Sequence, residues 1–228
     1  MKTQVIIPAA GSGTRLGASI PKALVLLKKK PLMVYALEVF ERLEFIHSVI
    51  LVVPGRDQKR FRKVVDRYRL KKVKRIVAGG ATRSASVSNG LKVLDANTDV
   101  VVIHDAARPF LVPKTLKDSV LLMKNQKAAI IAVPVKPTIK QVNTKTGTVI
   151  RTLDRNELWE AQTPQVFRKA ILVKAHQKAG KTGATDDAML VERMGVRVKV
   201  VPGDYRNIKI TTKEDVALAE SFLKVRSK

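Results

Sequence analysis

Three short stretches carry residue types that could act on a phosphorylated substrate. The first is "AAGSGTRLGASIPK", in which Gly11, Gly13 and Gly17 surround Arg15 and a Pro-Lys pair ends at Lys22. Small residues let backbone N–H groups approach an anion, and the two cations could share one triphosphate. The spacing nearly spells the dinucleotide fingerprint G-x-G-x-x-G, but the third glycine falls one residue late, and no G-K-[ST] follows to make a P-loop. The second stretch is "HDAARP", where Asp105 follows the apolar run "DVVVIH" at a position suited to a ribose hydroxyl or a magnesium ion. Its ordinary alternative is a turn cap. The third is "NIKITT", with Lys209 in a short β-like stretch ahead of a helix. A glycine pair in "AGGATRSAS" and Thr163 in "AQTPQVF", whose ordinary alternative is a turn before proline, add backbone and hydroxyl groups. His104 reads as a core residue. No nucleophile stands beside a base, so covalent catalysis is disfavoured and what remains is positioning with charge neutralisation, the demand of nucleotidyl transfer.

These stretches need a scaffold that brings strand ends together. Apolar, β-branched runs recur at "TQVIIPA", "HSVILVVPG", "VKRIVAGG", "DVVVIHDAARP", "AAIIAVPV" and "VRVKVVPG", most of them ending in Pro, Gly or a polar turn. Helical spacing falls between them. Leu32, Tyr35, Val39 and Leu43 share one face, as do Val87, Leu91 and Leu94, and further helices are expected over 114–125, 169–177, 186–194 and 213–224. Thr212 with Asp215 three residues on suits a helix start. The alternation predicts a mainly parallel, Rossmann-like sheet with helices on both faces, a three-layer α/β/α fold whose ligands sit at the carboxyl ends of the strands. Residues 137–155 break the pattern: two β-like runs flank "TKTG", which predicts a projecting hairpin. Such an arm has little stability of its own and is expected to pack on a second copy of the chain. One domain, 1–228, is expected.

Composition narrows the chemistry. There is no cysteine and there are only three histidines (His47, His104, His176) among 228 residues, which removes disulfides, thiolate nucleophiles and thiolate-bound zinc. No apolar run approaches a membrane span, and the amino terminus enters a strand at once, without the regions of a signal peptide, so a cytoplasmic enzyme is expected. Against 19 acidic residues stand 44 basic ones, a net charge of +25. That field would attract nucleic acid, anionic membranes or polyphosphate substrates. The aromatics, 6 Phe, 3 Tyr and 1 Trp, are too dispersed for a base-stacking platform, so nucleic-acid binding is the weaker reading.

Six ordered motifs, "PAAGSGTRLGASIPKAL", "AGGATRSASV", "HDAARPF", "DRNELWEAQTPQVF", "ATDDA" and "NIKIT", together resemble the 2-C-methyl-D-erythritol 4-phosphate cytidylyltransferases of the non-mevalonate isoprenoid pathway, over essentially the whole chain. The resemblance implies a nucleotidyltransferase that joins CTP and methylerythritol phosphate with magnesium. It implies that Arg15, Lys22 and Lys209 neutralise the reacting phosphates. Ala9, Ala10, Gly11, Gly80, Ser86 and Asp105 would hold CTP. Thr163, Thr185 and Asp105 would seat the sugar phosphate, with Thr138 and Arg155 reaching a twofold-related neighbour's site from the arm of a homodimer; the metal ligands are not specified. The chain departs from the family pattern at Ala81, where Asp is frequent, at Pro137, often acidic, and at Met189, often small. A ribitol 5-phosphate cytidylyltransferase is the nearest rival, and a basic nucleic-acid-binding protein on the same scaffold a more distant one.

Overall fold

The computed structural model describes residues 1–13, 16–17, 20–179 and 184–226. Strand β1 (Thr3–Pro8) leads through the glycine loop and a tight turn at Lys22–Leu24 to the two-residue strands β2 (Leu26–Leu27) and β3 (Lys30–Pro31) and helix α1 (Leu32–Arg42). Then follow β4 (Ile46–Val53), α2 (Gln58–Arg67), β5 (Val73–Ala78), α3 (Arg83–Leu91), β6 (Val100–Ile103), α4 (Pro113–Leu122) and β7 (Ala128–Pro134). The hairpin β8 (Lys140–Asn143) and β9 (Thr148–Thr152) precedes β10 (Trp159–Arg168), α5 (Lys169–Lys178), α6 (Asp187–Glu192), β11 (Lys199–Pro202) and α7 (Lys213–Arg226).

Seven strands form one sheet in the order β11-β7-β10-β6-β1-β4-β5. All neighbours are parallel except β10, which runs antiparallel to both β6 and β7. The alternation of side chains along each strand feeds two cores. Val5, Ile7, Val49, Leu51, Val100 and Val102 pack with α1, α2 and α4 on one face, while Ile6, Ile50, Val52, Val101 and Ile103 pack with α3, α5 and α6 on the other. Both faces are covered, which is why these strands read as continuous apolar runs. Among the described residues no helix is long and apolar enough to cross a membrane.

Three expectations are corrected. "AQTPQVF" is the middle of the long strand β10, not a turn; Pro is tolerated because the register with β7 slips between Ala161 and Gln165, so the ladder bond that Pro cannot donate is not needed there. In α1 the expected stripe divides: Val39 and Leu43 pack at the margin of the main core, whose centre takes Met33, Leu37 and Phe40. The helix is apolar on several sides, and Leu32 and Tyr35 serve a third, smaller core with α7. Lys209 lies in irregular chain, not in a β-like stretch. The helices otherwise fall where periodicity places them, within a few residues at each end, and Thr212 does cap α7: its amide donates to Asp215 at 2.9 Å and its hydroxyl accepts from the Asp215 amide at 3.4 Å.

The arm stands apart from both layers. β8 and β9 pair only with each other, every residue in the two strands is exposed, and Val149 and Ile150 keep 58% and 59% of their surface in solvent.

Candidate active site

A cleft of about 610 Å³ opens over the carboxyl ends of β1, β5 and β6, walled by Pro8–Gly13, Lys22, Gly80–Arg83, Ser86, Asp105–Ala107, Lys209 and Thr211. The glycine loop folds back on itself. The Lys22 amide donates to the Gly11 carbonyl at 3.1 Å, and Gly13 adopts φ +76°, with its missing Cβ only 3.0 Å from the Ile20 carbonyl oxygen and 3.2 Å from the Lys22 nitrogen. Any side chain there would be strained by backbone angle and by crowding together. The turn therefore sets Lys22 at the cleft wall. Opposite, Gly79 lets the β5 loop close on the β1 loop, since a Cβ would sit 2.7 Å from that of Ala10. The Ser86 hydroxyl is engaged locally: it accepts from the Gly80 amide at 3.1 Å and donates to the Thr82 carbonyl at 3.0 Å. Ser86 thus shapes the glycine pair from beneath.

Asp105 is the electrostatic centre. It is 7% exposed, and its two oxygens are split between Arg83 Nε at 3.1 Å and Lys209 Nζ at 2.7 Å. Burial works to raise its pKa, but Arg83, Lys209 and Arg108 overrule burial and hold the carboxyl well below the usual range, so it is ionised at any working pH. Its amide donates to the Thr163 hydroxyl at 3.0 Å. Thr163 in turn lies 3.1 Å from His104 Nδ1, and His104 Nε2 lies 3.1 Å from the Arg108 carbonyl. A carbonyl only accepts, so Nε2 carries the proton, Nδ1 accepts from the Thr163 hydroxyl, and the Thr163 oxygen is left to take the Asp105 amide. Burial depresses the pKa of His104 to about 4, outweighing the hydrogen bond to Arg108 and the charge of Asp105. The ring is neutral and acts as a bracket for Asp105, in keeping with a core residue and not a base.

The slip in β10 that holds Thr163 leaves backbone carbonyls off the ladder, and side chains from neighbouring loops collect them. Arg108 donates to the Ala161 carbonyl at 3.3 Å and to the Asn207 carbonyl at 2.7 Å, while the Asn207 amide group donates to the Thr163 carbonyl at 2.9 Å. Arg108 and Asn207 come from "HDAARP" and "NIKITT", so the two motifs are tied together through β10. Lys209 is anchored as part of that tie.

The comparisons with known proteins agree with this geometry. A family model for 2-C-methyl-D-erythritol 4-phosphate cytidylyltransferase (IspD) matches residues 3–225. The chain belongs to that family. Among curated relatives of the cytidylyltransferase family, the one from Geotalea uraniireducens is 47% identical over 98% of this chain and 97% of its own, and the one from Alkaliphilus metalliredigens is 44% identical over 99% and 94%. The 4-diphosphocytidyl-2C-methyl-D-erythritol synthase structure from Anaerococcus prevotii superposes with a TM-score of 0.86 at 31% identity, covering 98% of this chain and 96% of that one. The Thermus thermophilus 2-C-methyl-D-erythritol 4-phosphate cytidylyltransferase gives 0.80 at 29% identity, over 98% and 100%.

Seen as a cytidylyltransferase, the chain gathers most of the expected residues in one place. Ala9, Ala10, Gly11, Lys22, Gly80, Ser86, Asp105 and Lys209 all line the cleft, as does the divergent Ala81. Arg15 lies outside the described residues. Thr163 is buried beneath Asp105 rather than in the cleft wall. Thr185 meets the sulfur of Met189 at 4.0 Å away from the cleft lining. Thr138 and Arg155 sit on the exposed base of the arm, where Arg155 donates to the Lys136 carbonyl at 3.3 Å. Sequence reasoning missed Arg83, Arg108, Asn207 and Asp187. Arg83 stands in the quoted "GGATRS" and Asp187 in "ATDDA", but sequence separations of 22 and 104 residues conceal that Arg83 reaches Asp105 and Asp187.

Proposed function

We infer that the chain transfers the cytidylyl group of CTP to 2-C-methyl-D-erythritol 4-phosphate, giving 4-diphosphocytidyl-2-C-methyl-D-erythritol and pyrophosphate. The observation that carries this reading is the convergence of the glycine loop, Lys22, Lys209 and Asp105 on one cleft. The family match supports it. A phosphate oxygen of the acceptor attacks the α-phosphorus of CTP, the new P–O bond forms as the bond to the β-phosphate oxygen breaks, and pyrophosphate leaves with that electron pair. The chain contributes orientation and charge, which are the main requirements of such a displacement. Ala9, Ala10 and Gly11 contact ribose and base through the backbone, Gly80 and Ser86 shape the cytosine side, and Asp105 takes the ribose. Arg15, Lys22 and Lys209 neutralise the phosphates as negative charge builds at the reacting phosphorus. Thr163 works through Asp105, whose amide it receives.

Magnesium enters this reading as a companion of the nucleotide. Among the described residues no group of three or more His, Asp or Glu side chains could cage a metal. Among the described residues Asp105 is the one carboxylate in the cleft lining, and magnesium is commonly held by one carboxylate, waters and substrate phosphates. The donor set fits an ion carried on the triphosphate, where it would neutralise phosphate charge.

The homodimer is part of the same proposal. Thr138 and Arg155 lie outside the cleft of their own chain, and the arm exposes Val142 opposite Val149, an apolar pair that suits a protein partner better than water. The partner's cleft is where Thr138 and Arg155 meet the acceptor phosphate. The solution mass from sedimentation tests the dimer.

The decisive experiment incubates the protein with CTP, magnesium and either methylerythritol 4-phosphate or ribitol 5-phosphate and follows pyrophosphate. Release with the first acceptor is expected. A preference for ribitol 5-phosphate overturns the acceptor, and no release with either overturns the enzyme reading.

A further inference from the structure

One line of charge leads out of the cleft to residues that the transfer reaction does not use. Arg83 is shared between two carboxylates: Nε meets Asp105 at 3.1 Å and Nη1 meets Asp187 at 2.7 Å. The other oxygen of Asp187 lies 3.0 Å from His176 Nε2. Neither Asp187 nor His176 lines the cleft, and both side chains are nearly sealed from solvent, 1% and 4% exposed. We propose that Asp187 and His176 are positioning residues, which fix the guanidinium of Arg83 and through it the orientation and charge of Asp105 toward the nucleotide.

The geometry is built for this from three elements. Asp186 caps α6 by accepting from the Met189 amide at 2.9 Å, and it also accepts from the Gln165 side chain at 2.7 Å. Gln165 returns the bond by accepting from the Ala188 amide at 3.2 Å. Strand β10 thereby pins the first turn of α6 at the point where Asp187 projects. His176, near the end of α5, fixes the remaining oxygen. A guanidinium is a rigid planar fork, so a second carboxylate held in place determines the plane presented to the first. Charge matters as much as angle. With Asp187 taking half of Arg83, Asp105 is not wholly consumed by that cation and keeps acceptor capacity for a ligand hydroxyl.

Stability alone does not account for the arrangement. Buried ion pairs cost desolvation, and apolar replacements of similar volume are frequently neutral or stabilising. A buried His–Asp–Arg line that ends at Asp105 in the cleft lining is better explained by the site it serves.

The inference rests on the cytidylyltransferase reading and is separable from it by experiment. His176→Gln keeps a donor for Asp187, whereas His176→Phe keeps the ring volume and loses the donor. If the role is positioning, His176→Gln retains the equilibrium Kd and the KM for CTP within about twofold, while His176→Phe raises both about tenfold with kcat changed less than about threefold. In an Arg83→Gln background, His176→Phe adds no further effect. Asp187→Asn, nearly isosteric, reproduces the Phe result and decides the matter if His176→Phe fails to fold. His176→Phe matching wild type while His176→Gln is worse would show a packing role, and an effect of His176→Phe that persists without Arg83 would show a path through another group. Either result overturns the inference. Absence of pyrophosphate release by wild type refutes the transfer reaction instead, and CTP Kd still reports on the coupling.

Discussion

At Asp105 burial and three cations, Arg83, Lys209 and Arg108, act in opposite directions, and the cations win. That outcome decides what Lys22 and Lys209 can be. Lys209 rests on Asp105 at 2.7 Å, and Lys22 is carried to the cleft lining by the glycine turn. Lys22→Ala is expected to lower kcat by on the order of a hundredfold to a thousandfold with the fold intact. Near-normal turnover measured by pyrophosphate release would remove Lys22 from the transition state. His104 gives a prediction about stability. Its pKa is about 4 in the folded chain against 6.5 for a free imidazole, so the unfolded state binds the extra proton between those values. The contribution of the neutral ring is complete above pH 6.5 and is lost as pH falls towards 4, by about 3 kcal/mol in total. Denaturant melts of wild type and His104→Gln test this: the fall across that window should flatten in the variant. Asp105, held low, adds its own loss only below the ordinary carboxylate range.

The arm and β10 differ in how far their form follows from their own residues. The hairpin was legible, because β-like runs around "TKTG" leave little else, and its exposed Val142, Val149 and Ile150 point to a second chain. Arg155→Ala is expected to raise the KM for the acceptor phosphate by about tenfold to a hundredfold, the worth of a charge-assisted hydrogen bond, while CTP binding measured by calorimetry is unchanged. Loss of CTP binding would contradict the arm's role. In β10 Thr163-Pro164 interrupts the strand pattern, which made a turn the ordinary alternative. There the register with β7 slips, and Arg108 and Asn207, arriving from two distant loops, take up the Ala161 and Thr163 carbonyls.

At the scale of the whole molecule the excess of cations is the dominant feature, and a cleft between low-dielectric walls focuses such a field. Anionic CTP should be drawn in by charges that never touch it. Raising sodium chloride from about 0.05 to 0.5 M shortens the Debye length from roughly 14 to 4 Å, and the KM for CTP is expected to rise several-fold with little change in kcat. A KM indifferent to salt would show that only contact cations matter. The cations of 56–63 and 69–75 lie at the β5 edge of the sheet, and nothing in the fold explains their density.

Several features were settled by the chain's local chemistry. Apolar runs alternating with helical segments called for a covered, mainly parallel sheet, the displaced glycine spacing ruled out a dinucleotide turn, and Lys22, Asp105 and Lys209 stood out as residue types suited to a phosphorylated substrate. These are properties of neighbours in sequence, where periodicity and turn stereochemistry act. The partnerships were not. That Arg83 lies between Asp105 and Asp187, that Thr163 is spent on an amide and a histidine, and that β10 runs against its neighbours all depend on contacts across tens of residues. Such contacts are chosen by packing and by the need to satisfy buried polar groups, and both are conditions imposed by the assembled fold.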